Sequence, residues 1–218
     1  MCPCARRATR APAGGVVADK FIAVSGNIGV GKTSLVRHLT TDYGMTPVYE
    51  PFADNPYLDD FYADMKQWSF HSQIWFLSHK FRLHRELQET PGVLVQDRTI
   101  YEDAEIFATY LHRSRRMSKR DLDTYMELYR AMQATLQPPD LMIYLRCSVR
   151  AIRKRIRQRG RPSEQNIPLT YLRRLNELYE DWISRYEGPV LIWDSERADY
   201  LTHLVDRLEF ERSIRAVL

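Results

Sequence analysis

Between Gly26 and Thr33 the chain reads GNIGVGKT, a match to G-x-x-x-x-G-K-[ST], and no other feature of the 218 residues limits the fold so tightly. The pattern works only where a buried strand enters and a helix leaves, because its backbone N–H groups must converge on phosphate oxygens at a helix N-terminus. Both flanks comply: Phe21 to Val24 is a short apolar run, and Lys32 to Asp42 has helical character. Gly26, Gly29 and Gly31 let the loop curl, so that it and Asn27, Ile28, Val30 and Ser34 wrap a triphosphate. Lys32 then reaches the β and γ phosphates, and the Thr33 hydroxyl can ligate magnesium. The loop leaves the acceptor open, since GTPases, ATPases and small-molecule kinases share it.

Four further apolar runs follow turn chemistry or a helix end: Thr46 to Glu50, Val93 to Gln96, Leu141 to Leu145 and Val190 to Trp193. Each is short and lacks in–out alternation, as buried parallel strands do. Helical patterns separate them, over Phe70 to Glu89, Tyr101 to Arg113, Lys119 to Gln137, Val149 to Arg159, Leu169 to Tyr186 and Asp199 to Val217. Strand–helix alternation predicts an α/β fold of the P-loop NTPase type: a doubly wound, five-stranded parallel sheet flanked by helices. With 44% hydrophobic and 28% charged residues, one domain over 20–218 is expected, preceded by an Ala-, Arg-, Gly- and Pro-rich tail over 1–19. No run of eighteen apolar residues is present, so no membrane association is expected. Cys2, Cys4 and Cys147 have no disulfide or metal-site spacing, which suits a reducing cytoplasm.

Ligands of open α/β sheets sit beyond the carboxyl ends of the strands. Two polar segments fall there: Tyr49-Glu50-Pro51 ends the second strand and Asp97-Arg98-Thr99 ends the third. Glu50 is placed to accept a proton from a hydroxyl nucleophile. Arg98 can hold Glu50 and steady the transferring phosphoryl group, and Asp97 can coordinate magnesium directly or through water. A carboxylate at the acceptor also disfavours an acceptor that already carries phosphate, unless arginines offset it.

With these residues in view, the chain resembles the deoxynucleoside kinase family, and is most similar to its bacterial deoxyadenosine/deoxyguanosine kinase branch. The resemblance rests on SGNIGVGKTSL, YEPFADNPYLDDFY, WSFHSQIWFLSHKF, QDRTIYEDAEIFA and RQRGRPSEQNIPLTYLRRLNELYEDW, which span Phe21 to about Asp194. It implies ATP-dependent 5′-phosphorylation of a deoxynucleoside, with ATP-magnesium as donor, in nucleotide salvage and with a purine preferred. Glu50 matches the family's base, and Arg98 the arginine beside the 5′-hydroxyl. Tyr62 and Glu164 match the pair that holds the sugar 3′-hydroxyl. Gln73 matches the glutamine that reads the nucleobase, with Asp103 its neighbour, and Phe107 the aromatic stacked on the base. Arg155, Arg159 and Arg161 match lid arginines over the donor phosphates. Lys80 stands where several relatives carry a base-contacting arginine, and lysine lacks that planar fork. The resemblance also implies a homodimer paired through long helices.

From Arg146 to Arg161 there are eight Arg or Lys residues and no acid. Without interleaved aromatics the run does not suit base stacking, and the net charge of +4 is too small to argue for nucleic acid. Arg157-Gln158-Arg159-Gly160-Arg161-Pro162 breaks the helix and predicts a mobile arginine-rich lid, as phosphoryl transfer requires. The alternatives to a purine kinase are a pyrimidine or broad-specificity deoxynucleoside kinase, a thymidylate or nucleoside monophosphate kinase, and a nucleotide-binding switch.

Overall fold

In the computed structural model, residues 19–50, 54–197 and 203–215 are described. Cys2, Cys4 and most of the expected N-terminal tail lie outside them, as does the start of the last expected helix. Five parallel strands form one sheet in the order β2-β3-β1-β4-β5: β1 (Lys20–Ser25), β2 (Thr46–Val48), β3 (Val93–Asp97), β4 (Leu141–Arg146) and β5 (Val190–Asp194). All five predicted strands are present, within two residues at each end. Strand β1 lies at the centre, paired with β3 through Val24↔Asp97 and with β4 through Ser25↔Tyr144. That pairing brings the ends of β1 and β3 side by side. Strand β2 pairs with β3 through Val48↔Gln96, so Glu50 and Arg98 leave the sheet at the same carboxyl end.

The helices are α1 (Lys32–Tyr43), α2 (Leu58–Ala63), α3 (Met65–Gln88), α4 (Ile100–Glu102), α5 (Thr109–Arg113), α6 (Lys119–Gln133), α7 (Val149–Arg159), α8 (Pro162–Gln165), α9 (Leu169–Ser184) and α10 (Leu204–Arg215). A π-helical turn, Asp103–Ala108, joins α4 to α5. Within it the Thr109 N–H reaches back five residues to Ala104 O, and the Thr109 hydroxyl donates to the same oxygen at 2.9 Å. Single π turns inside α-helices concentrate at functional sites.

Two differences from the sequence expectation have clear causes. Helix α3 starts at Met65 rather than Phe70, because the Asp64 carboxylate accepts from Lys66 N and Gln67 N and caps it. Its buried stripe also differs from the apolar residues at helical spacing, Ile74, Leu77, Phe81 and Leu87. Ser69, Ser72, Gln73, Phe76, Leu77, Lys80, His84 and Leu87 face inward, whereas Ile74 and Phe81 are half-buried. Helices α2 and α8 are too short for apolar periodicity to reveal.

Gly26 and Gly29 set the loop after β1. Gly26 has φ +140°, and a Cβ there would lie 2.7 Å from Leu145 O. Gly29 has φ +78°, and its Cβ would meet Ile156 Cγ1 at the same distance. Backbone cannot retreat as a side chain can, so Gly26→Ala combines left-handed strain with a clash, together about 1–3 kcal/mol or more. The expected result is a lower melting temperature and loss of the thermal upshift on adding ATP. An unchanged upshift would show that the loop tolerates the methyl group.

Candidate active site

A cavity of about 670 Å³ opens at the carboxyl end of the sheet. Its walls include Ile28 to Ser34, Glu50, Tyr62, Gln73, Asp97, Arg98, Asp103, Phe107, Arg155, Arg159, Arg161 and Glu164. Every residue expected at the site thus lines one space, apart from Gly26 and Asn27, which hold the loop from behind. Asn27 donates to Leu172 O at 2.9 Å and accepts from Ile28 N, pinning the loop to α9.

Lys32 is buried and donates to Gly26 O and Asn27 O at 2.9 and 3.0 Å. Burial lowers its pKa to about 8, with Arg98 adding to the fall while Asp97, Glu50 and Glu102 oppose it. The two loop carbonyls hold its ammonium group, and phosphate oxygens would complete its shell. The Thr33 hydroxyl donates to Asp97 Oδ2, while the buried Asp97 Oδ1 has no protein partner. A hydroxyl beside an orphaned carboxylate oxygen is a donor set that fits a hard, hydrated divalent cation.

Arg98 is the centre of the acceptor side. Its backbone sits in the left-handed region at φ 63°, an uncommon conformation for a residue with a side chain. Arg98 N donates to Val24 O at 3.0 Å, which ties this turn to β1. Its Nη1 donates to both oxygens of Glu50, at 3.0 and 3.1 Å. Its guanidinium also lies over the Phe107 ring, 4.7 Å from the centroid, so one face of that ring is already covered. Glu50 has a side chain only 13% exposed. Burial alone would raise its pKa, but Arg98, Lys80 and Lys32 outweigh that and hold it at about 2.

The wall facing the loop is built by α3 and the π turn. Gln73 is buried with Oε1 unpartnered, and Asp103 is buried with Oδ2 unpartnered. Burial raises Asp103 to about 6 against the pull of Lys80. Buried acceptors without donors are uncommon, and two in one cavity mark where a ligand's N–H groups would go. Tyr62 is half-buried, and burial and then Glu164 push its hydroxyl above the ordinary range. Glu164 is 1% exposed and paired with Arg159 and Arg161, which joins two predicted lid arginines to a predicted sugar ligand. Arg155 is placed differently: it donates to Val30 O at 2.7 Å and to Ser195 O at 2.6 Å, bracing the loop.

Glu102, which sequence reasoning left without a role, and Lys80, which it placed only through the resemblance, are central here. Glu102 is fully buried and accepts from Thr99 N, Gly26 N and the Tyr179 hydroxyl, with Arg98 Nε at 3.7 Å. Its signal was the T-x-x-E spacing of Thr99 and Glu102, a helix-capping pattern. Lys80 is fully buried between Glu50 and Asp103. Its signal was the seven-residue step from Gln73, two turns along one helix face.

A triphosphate cradle facing a carboxylate–arginine pair across one cavity defines a P-loop kinase. The chain belongs to the deoxynucleoside kinase family, whose profile, described as deoxynucleoside kinase, matches residues 22–217. It is 40% identical over 186 residues to the deoxyadenosine/deoxycytidine kinase of Bacillus subtilis (strain 168), covering 84% of this chain and 86% of that one. It is 33% identical over 198 residues to the deoxyguanosine kinase of the same organism, covering 88% and 93%. Among solved structures, deoxyadenosine kinase from M. mycoides with bound dATP superposes with a TM-score of 0.79 at 27% identity, over 90% of this chain and 99% of that one.

Proposed function

We propose that this kinase transfers the γ-phosphoryl group of ATP to the 5′-hydroxyl of a deoxynucleoside, in nucleotide salvage, and that purine deoxynucleosides are preferred. The observation that carries the reading is Glu50, held by Arg98 in the same cavity as Lys32 and the loop amides. Glu50 accepts the hydroxyl proton as the oxygen attacks phosphorus. Lys32, Arg159 and Arg161 offset charge on the phosphates, so catalysis is mostly positioning and electrostatics. Arg155 serves the donor side by holding the loop through Val30. Thr33 and Asp97 would hold magnesium, which when bound neutralises charge on the β and γ phosphates. Tyr62 and Glu164 hold the sugar 3′-hydroxyl, and Phe107 stacks on the base.

The orphaned acceptors Gln73 Oε1 and Asp103 Oδ2 ask for donors on the base edge. Adenine and guanine both carry an exocyclic amino group, which thymine lacks. Cytosine carries one too, and a relative named for deoxyadenosine and deoxycytidine supports a second reading in which deoxycytidine is also taken. Steady-state phosphorylation with ATP-magnesium and each of the four deoxynucleosides, plus thymidylate, tests this. Deoxyadenosine or deoxyguanosine should lead. Comparable turnover of deoxycytidine would favour the second reading, and turnover of thymidylate alone would overturn both.

Among the described residues no helix is long and apolar enough to cross a membrane. A cytoplasmic homodimer paired through α3 is the assembly we favour. Phe70, Ile74 and Phe81 on α3 remain half-buried, leaving apolar surface for a partner.

A further inference from the structure

We propose that Lys80 is a positioning residue that shares its ammonium group between the nucleobase pocket and Glu50, so that a bound base draws it off Glu50 and frees that carboxylate to accept the hydroxyl proton. The inference rests on Glu50 as the proton acceptor. Its basis is geometric. The Lys80 side chain is 0% exposed, with Nζ 2.6 Å from Asp103 Oδ1 and 3.1 Å from Glu50 Oε1. An ammonium group has three donors and no acceptor, so it must spend itself on whatever acceptors surround it. Here those acceptors belong to the two halves of the acceptor site, one carboxylate for the hydroxyl and one for the base. The Glu50 contact is the longer of the two and is the one that yields.

The bound state supplies a reason to move. Amino hydrogens on a base edge satisfy Gln73 Oε1 and Asp103 Oδ2, which have no protein donor. Adenine and cytosine carry an acceptor ring nitrogen beside that amino group, guanine carries an acceptor carbonyl on the same edge, and Lys80 is the buried cation on that wall. The groups acting on Glu50 are Arg98 from the end of β3, Lys80 from α3 and Lys32 from α1, with Asp103 on the π turn and the Tyr62 and Tyr179 hydroxyls nearby. Asp103 in turn feels Lys80, Glu50 and Arg98, and lies near Tyr125 and Tyr129. Of the three cations on Glu50, Arg98 is fixed by its backbone turn and Lys32 by the loop carbonyls. Lys80 alone reaches both pockets. While it stays on Glu50, that carboxylate is a weak base, which also protects ATP from attack by water before a nucleoside arrives.

The test is a titration of the Glu50 side chain by carboxyl-carbon NMR in glutamate-labelled protein, assigned with Glu50→Gln. It is run with and without the deoxynucleoside that the four-substrate assay identifies. In the wild-type protein the midpoint should rise by a unit or more on saturation. In Lys80→Met it should already be raised, and nucleoside should move it little further; ATP hydrolysis without nucleoside should increase severalfold. Asp103→Asn leaves the ammonium to Glu50 alone and should act oppositely, with a midpoint that stays low and slower hydrolysis. Lys80→Arg should restore the wild-type difference. Equal nucleoside-induced shifts in the wild type and Lys80→Met would overturn the proposal, as would unchanged hydrolysis in both substituted proteins. A Glu50→Gln enzyme that still turns over would instead reject the reading beneath it.

Discussion

Glu50→Gln should lower kcat by about 10²- to 10⁴-fold, the range that a positioned general base contributes. Glutamine keeps the shape of the side chain and can still accept from Arg98, but it cannot take a proton. Lys80 keeps Asp103 as its counter-charge, and Arg98 keeps Glu102 at 3.7 Å, so the fold should survive. ATP affinity should change only a few-fold, because none of the loop contacts of Lys32 involves Glu50. The pairing of kinetics with ATP titration is therefore decisive. Turnover within a few-fold of wild type would remove Glu50 as the base, and a matching loss of ATP binding would make its role structural. There is also a pH consequence for the wild-type protein. The folded Glu50 carboxyl sits at about 2, below its ordinary 4.5, so its ion pairs stabilise the fold fully above about pH 4.5. That stability is lost as pH falls toward 2, and Glu50→Gln should flatten this part of the acid-unfolding curve.

Glu102→Ala is expected to have the largest effect on stability. The carboxylate has no exposed surface, and it satisfies Thr99 N at 3.0 Å and the Tyr179 hydroxyl at 2.8 Å while facing Arg98. Its removal strands buried donors and leaves one side of a buried guanidinium without charge. Breaking a buried pair in this way costs about 3–5 kcal/mol. For a chain of this size each kcal/mol corresponds to roughly 2–4 °C in melting temperature, so a drop of about 10 °C is expected by calorimetry. Glu102→Gln should fall between the two, because it keeps an acceptor but not the charge. A drop under about 2 °C for the alanine variant would mean that water replaces the carboxylate at no cost.

The site was legible in the sequence wherever chemistry is tied to strand ends. GNIGVGKT announced its own strand and helix, and Glu50 and Arg98 were found because each stands at the carboxyl end of an apolar run. What periodicity could not show was the inward face of α3. Apolar spacing pointed to Ile74, Leu77, Phe81 and Leu87, of which Leu77 and Leu87 are buried, yet the buried stripe also carries Ser72, Gln73, Lys80 and His84. A helix that lines a polar cavity breaks the rule that buried means apolar, and its own sequence then misreports its orientation. Glu102 was hidden differently. Its capping pattern was readable, but its reach to Gly26 and Tyr179 joins residues 76 and 77 positions apart in the chain. Arg155 was assigned by resemblance to the phosphates, and its bonds to Val30 and Ser195 depend on how α7 crosses the loop.

The π turn between α4 and α5 makes chain length here a matter of angle. Elsewhere an extra residue lengthens a loop. Here it is absorbed as a wider turn, with Asp103 and Phe107 both aimed into the cavity. Removing any one residue of Asp103–Ala108 would let the segment close as ordinary α-helix, and everything on one side of the cut would rotate by about 100° about the axis. The helix would persist and the core could reseat, but the Asp103 carboxylate and the Phe107 ring would no longer share a direction. For a lineage altering its choice of base, one codon gained or lost at this turn would re-aim a whole wall of the pocket at once, a change that no single side-chain replacement can imitate.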